Sequence, residues 1–262
     1  MLIDTHSHIN SEKLKDELPS ILDNLNTGVV GRVICPSYSL DSSQSSLKLA
    51  LSNDKVFCAL GIHPENASEW NDEVKDFIEE NCINLKNVAI GEIGLDYHYN
   101  TDNKEMQFKC LNEQIEIASK YDLPVIFHVR DAFEDFFEWL KTNRQKFKKG
   151  VVHCFEGNAE IAQKILDYDL NISFTGLITF KPRQDIREAV AVVPIQKIMV
   201  ETDAPYLAPE PFRGKVNRPE YTEFVARKIS EIKNIEFEDV EKITTQNAYN
   251  FFNKMREFDD RK

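Results

Sequence analysis

The chain has 262 residues, 42% of them hydrophobic and 29% charged, with a formal net charge of −12. That length suits one large domain and lies near the ~250 residues typical of an eightfold α/β barrel. The acidic balance argues against non-specific adhesion to nucleic acid or anionic membranes, and no apolar run approaches the ~18 residues of a membrane span.

Eight short β-rich runs alternate with helical stretches. Residues 2–6 form the first strand and residues 12–25 a helix, with Leu14, Leu18, Ile21, Leu22 and Leu25 at helical spacing. Strand and helix then pair as 29–35 with 45–51, 56–61 with 73–80, and 88–93 with 104–120. Next come 124–128 with 132–142, 150–153 with 159–166, and 171–175 with 184–192. The eighth strand, 197–201, precedes a helical tail over 219–232 and 237–254. Asp72 and Asn158 read as helix caps. Most strands are nearly continuous apolar runs, as expected of parallel strands covered on both faces. Eight such units imply a closed (β/α)8 TIM barrel. An open doubly wound sheet is the alternative, but no Gly-x-Gly-x-x-Gly loop follows any strand. With no linker or composition break, residues 1–262 are expected to form one domain.

Five cysteines, Cys35, Cys58, Cys82, Cys110 and Cys154, form no Cys-x-x-Cys pair. They read as free buried thiols in a reducing compartment. No basic region followed by an apolar stretch opens the chain, and candidate ligands begin at residue 6, so a cytoplasmic location is expected.

Of six histidines, four fall at strand ends. His6 and His8, two apart in Asp4-Thr5-His6-Ser7-His8, share one side of an extended strand and converge on one ion; the alternative is a polar strand end. Glu92, amid Ile90, Gly91, Ile93 and Gly94, would be buried, and its two oxygens can bridge two metals. A barrel-core ion pair is the other reading. Gly91 and Gly94 suggest close backbone approach around it. His128 and His153, on adjacent strands, read as ligands of a second metal. Asp203 ends strand eight, beside strand one in a closed barrel, where it can bind the first metal and take a proton from water. Cys154, next to His153, should point away from the site. His63 and Arg130 can contact an anionic group or serve structure. Tyr97, Tyr99, Phe155 and Tyr206 can stack on a base or pack a loop, and His98 reads as solvated.

Taken in order, Asp4–His8, Gly61–Pro64, Gly91–Tyr97, Pro124–Arg130, Val152–Phe155 and Glu201–Leu207 resemble the TatD family of metal-dependent deoxyribonucleases, nearly end to end. The tail Asn247–Phe252 shares the likeness. The resemblance implies a TIM barrel that hydrolyses phosphodiesters in DNA as a 3′-to-5′ exonuclease. It implies two divalent cations, Mg²⁺ first and Mn²⁺ or Zn²⁺ as alternatives, and single-stranded DNA ends as substrate. Carried over, His6, His8 and Asp203 hold one metal, and His128 and His153 the other, with Glu92 between them; Asp203 and Glu92 are the catalytic carboxylates. Where the family reads Gly-Lys-Arg-Asn-Glu-Pro, this chain reads Gly214-Lys215-Val216-Asn217-Arg218-Pro219. Arg130, Lys215 and Arg218 are the cations expected near the phosphates, with Arg213 or Arg218 standing in for the missing arginine. A lactonase, esterase or amidase on the same metals, and a catalytically silent metal-binding interaction protein, are the competing readings.

Overall fold

Eight parallel strands stand side by side in chain order, β1 to β8, in one sheet. The computed structural model describes residues 1–99 and 102–261. The strands are β1 Leu2–Asp4, β2 Val30–Pro36, β3 Val56–Leu60, β4 Asn87–Asp96, β5 Val125–Arg130, β6 Gly150–Val152, β7 Asn171–Phe174 and β8 Ile198–Val200. The helices between them are α1 Leu18–Thr27, α2 Leu40–Ser52, α3 Asp72–Asn81, α4 Lys104–Lys120, α5 Phe133–Asn143, α6 Ala159–Asp167 and α7 Gln184–Val192. After β8 come α8 Thr222–Lys233, α9 Phe237–Phe251 and α10 Asn253–Asp260. The last strand returns to the first: Thr5 N donates to Val200 O at 3.2 Å and Asp203 N to His6 O at 2.9 Å. The result is a nearly closed TIM barrel, as expected. Among the described residues, no helix is long and apolar enough to cross a membrane.

Two apolar clusters follow from the period-2 alternation of the strands. One lies between strands and helices and includes Leu2, Val33, Leu60, Val125 and Val152. The other takes Ile3, Ile34, Phe57, Val88, Ile126, Val151 and Met199 from successive strands and is closed by Phe251, Phe252 and Met255 of the tail. Burying a side chain such as Phe57 stabilises the fold by about 1.5–3 kcal/mol relative to exposure.

Several predicted boundaries move. The helix expected over 12–25 is a 3-10 turn at Glu12–Leu14 followed by α1. Pro19 is tolerated only in the first turn of α1, so the helix restarts beside it. The helix expected from residue 45 starts at Leu40, because Ser39 and Ser42 form a reciprocal capping box. Serines carry no apolar periodicity, which hid that first turn. The cap of α3 is Asn71, whose side chain accepts from Val74 N at 3.1 Å, and Asp72 is the first helical residue. Asn158 caps α6 as expected, accepting from Ile161 N at 3.0 Å. The tail expected over 237–254 breaks at Phe252, which is fully buried, so the chain can turn α10 under the barrel.

Candidate metal centre

The carboxyl ends of the strands bring six side chains to one mouth around Glu92. Its Oε2 lies 3.2 Å from His6 Nε2 and 3.6 Å from His8 Nε2. Its Oε1 lies 2.9 Å from His153 Nε2, 3.1 Å from His128 Nδ1 and 3.5 Å from His63 Nε2. Asp203 Oδ1 is 3.7 Å from His6 Nε2 and 3.6 Å from His8 Nε2. One carboxylate therefore turns each oxygen toward a different set of imidazoles.

Backbone features of β4 put Glu92 there. The β4–β5 register shifts between Ile90 and Ile93, and Glu92 N donates to Ser37 O beyond β2 at 3.0 Å. Gly94 adopts φ +149°, and a Cβ there would sit 1.9 Å from His128 O. Only glycine lets β4 approach β5 so closely. A Cβ on Gly91 would meet Ile126 Cβ at 2.7 Å, so the close approach expected at both glycines is present.

The electrostatics match this crowding. Burial pushes the Glu92 carboxyl upward, but His153 and His6, with hydrogen bonds from His128 and His153, hold it well below the usual carboxylate range. Burial lowers His153, yet Glu92 and Glu201 raise it well above an ordinary imidazole. His63 is pushed down to about 3 by burial and by His128. Burial raises Asp203, and His8 and His6 outweigh it, so its carboxyl also lies low.

The donor set fits divalent cations. Neither ring nitrogen of the fully buried His6 is hydrogen-bonded, nor is Nδ1 of His8, and Nδ1 of His153 faces only the Glu201 carboxylate at 3.4 Å. Buried polar nitrogens without partners are costly and rare. His6, His8 and Asp203 offer ligand atoms within 4.8 Å of one another, as do His63, Glu92 and His128, and His6, His153 and Glu201. Imidazole nitrogen with carboxylate oxygen suits borderline to hard cations.

Three acids escaped the sequence reading. Asp96 Oδ2 lies 2.8 Å from His128 Nε2, orienting that ring. Glu201 accepts from Cys154 N at 2.7 Å and from Ser173 Oγ at 2.6 Å, and lies 3.4 Å from His153 Nδ1. Asp4 accepts from Thr202 N at 2.9 Å and Thr202 Oγ1 at 2.6 Å, stitching β1 to β8. Burial pushes its carboxyl up to about 8. Part of the signal was present: period 2 puts Asp4 with His6 on the first strand, whereas positive φ at Gly94 and Asp203 breaks the alternation for Asp96 and Glu201.

A cavity of about 600 Å³ opens above the cluster, lined also by Tyr38, Tyr99, Arg130, Cys154, Glu156 and Tyr206. Cys154 was expected to point away. The chain leaves extended geometry there, at φ +43°, so strand alternation no longer applies. Its thiol is raised by burial and by Asp203, Glu156 and Glu201. Arg130 lies over the Tyr99 ring at 5.4 Å.

Lys215 and Arg218, expected near the phosphates, do not line the cavity. Residues 214–218 fold back along Pro205, with Asn217 N donating to Pro205 O at 3.0 Å. Arg218 is thereby delivered to Glu17 at 3.1 Å and Glu220 at 3.3 Å, and exposed Lys215 lies 5.9 Å from the Phe212 ring. Arg213 sits over Phe180 at 4.6 Å. Phe155 is core, and the Tyr97 hydroxyl donates to Asp135 at 2.8 Å. His98 is exposed but pairs with Asp131 at 2.8 Å.

The sequence model for TatD-related DNases matches residues 3–253. The chain is 36% identical over 252 residues to the metal-dependent hydrolase YabD of Bacillus subtilis, covering 96% of this chain and 99% of that protein. It is 32% identical to the metal-dependent hydrolase YcfH of Escherichia coli, over 96% and 95% of the two chains. Among solved structures it is similar to the TatD homologue YJJV of Escherichia coli, with TM-score 0.88, 30% identity and coverage of 96% and 98%.

Proposed function

The chain belongs to the TatD family of metal-dependent hydrolases, and from that premise we propose that it shortens single-stranded DNA from the 3′ end using two divalent cations. One observation carries this reading. Glu92 presents Oε2 to His6 and His8 and Oε1 to His128 and His153, so it would lie between two ions were each imidazole set to hold one. His6, His8 and Asp203 would hold the first ion, and His128 and His153 the second. Mg²⁺ is the expected ion, with Mn²⁺ and Zn²⁺ as alternatives. When bound, such ions polarise a phosphoryl oxygen and make water a stronger acid.

The chain's own groups do the rest. Asp203 lines the cavity, and its low-lying carboxyl is ionised at neutral pH. It takes the proton from the attacking water as the water oxygen bonds to phosphorus. The P–O3′ bond breaks, the departing 3′ oxygen takes a proton from solvent, and the terminal nucleotide leaves as a 5′-monophosphate. Arg130 at the cavity wall offers a planar fork to a neighbouring phosphate.

A carbonyl substrate is the second reading, favoured by the acids Glu65, Asp96 and Glu156 in the lining. The test is direct. With Mg²⁺ or Mn²⁺, a 5′-labelled single-stranded oligonucleotide should shorten stepwise from its 3′ end, and EDTA should stop it. A metal-replete preparation that opens a lactone but leaves the oligonucleotide intact would decide for the carbonyl reading.

A further inference from the structure

The cavity rim carries an aromatic set that the metal centre does not use. Among the described residues, the strongly exposed aromatic side chains are Tyr38, Tyr99 and Tyr206, at 44%, 73% and 48%. All three line the cavity. The hydrophobic effect drives large rings under cover. Their confinement to one mouth marks a surface that a ligand covers.

Tyr38 follows β2 and Tyr206 follows β8, the two strands flanking β1, and both approach His8. Ring centroids lie 5.8 Å and 6.5 Å from the imidazole, with interplanar angles of 68° and 72°, so neither tyrosine is stacked flat against it. Their backbones are nevertheless held. Tyr38 N donates to Ser42 Oγ at 2.7 Å, and Tyr38 O accepts from His63 N at 3.0 Å. Tyr206 N donates to Asp203 O at 2.9 Å, and Tyr206 O accepts from Asn217 Nδ2 at 2.6 Å. Rings that are exposed but fixed at their roots bind with little loss of freedom. The lining supplies one arginine, Arg130, and at the rim Lys13 Nζ lies over the Tyr206 ring at 4.7 Å, so few cations are placed to grip the backbone.

We propose that Tyr38 and Tyr206, beside His8, form a subsite for a single unpaired nucleobase. The assignment rests on the nuclease reading above and deepens it. The enzyme then holds the last base of a strand in addition to the phosphate contact of Arg130, and a paired base, whose faces are already stacked, is a poor occupant.

The probes are thymidine 5′-monophosphate and deoxyribose 5-phosphate, which differ by the base. Each is titrated against the metal-loaded protein by NMR. Wild type should bind the base-bearing ligand roughly tenfold more tightly or better, the range expected for stacking of one base. Replacing both residues, Tyr38→Ala with Tyr206→Ala, should abolish that preference while leaving deoxyribose 5-phosphate affinity and thermal midpoint unchanged. The Phe pair should keep it. Equal affinities in wild type, or a preference that survives the double alanine variant, overturns the subsite. The oligonucleotide assay fails separately. A base preference without strand shortening retains the subsite and overturns the nuclease reading. Shortening without a base preference does the reverse.

Discussion

Both ends of this barrel bury charge, and they treat it in opposite ways. At the amino ends, Lys86 Nζ donates to Asn53 O at 2.8 Å and Val56 O at 2.7 Å, and lies over the Phe57 and Phe258 rings at 4.3 Å each. Lys254 Nζ reaches Cys82 O, with Asn84 O and Asn87 O at 3.1 Å. Arg32 meets both oxygens of Asp259 at 2.7 Å. Each of these cations is matched with acceptors. At the carboxyl ends, both ring nitrogens of His6 and Nδ1 of His8 make no hydrogen bond, and Nδ1 of His153 faces only Glu201, at 3.4 Å. Satisfied burial locks a fold, whereas unsatisfied burial is tolerated where a ligand completes it. The contrast places stability at one end of the barrel and chemistry at the other.

The comparison breaks hardest at Glu92. Glu92→Gln removes the charge between the two imidazole sets while keeping shape. Turnover should fall on the order of 10⁴-fold, with the circular dichroism spectrum unchanged. A variant within tenfold of wild type would remove Glu92 from the centre.

Glu201→Gln comes next. Glu201 does not reach the cavity's reacting region; it orients His153 and the Cys154 backbone. Metal affinity, measured by calorimetry, should fall roughly 10- to 100-fold, as for outer partners of metal-binding histidines. An unchanged affinity would make its role purely structural.

At the opposite end, Lys86→Met should lower urea-unfolding stability by about 1–3 kcal/mol, the cost of removing two hydrogen bonds donated by a buried ammonium. Its kcat should match wild type. A loss of turnover without a loss of stability would contradict the division between the two ends.

The smallest expected effect is ionic. Lys215 and Arg218 lie outside the cavity, so one phosphate contact from Arg130 is expected. A plot of log kcat/KM against log salt should then slope about −0.7, the value for one contact on a single strand. A slope near −2 or steeper would return the outlying cations to the substrate.

The period-2 and period-3.6 patterns made the barrel readable, because parallel strands buried on both faces leave long apolar runs. They also placed His6, His8, Glu92, His128, His153 and Asp203 at strand ends, where a closed barrel must bring them together. The rest depended on where the backbone leaves those patterns. Cys154 turns into the cavity through a positive φ that no alternation rule contains. Phe252 ends α9 because a fully buried ring meets the barrel floor, a contact between residues far apart in the chain. Arg218 has the right charge and lies near the right motif, yet the fold-back along Pro205 pairs it with Glu17 and Glu220. By itself the sequence determined the fold class and the placement of His6, His8, Glu92, His128, His153 and Asp203 at strand ends, since both follow from local periodicity. Only the tertiary structure decided which cations face the cavity, which acids orient the histidines, and that Tyr38 and Tyr206 meet at His8. Those outcomes depend on loop paths and long-range contacts, and residue order along the chain does not encode them locally.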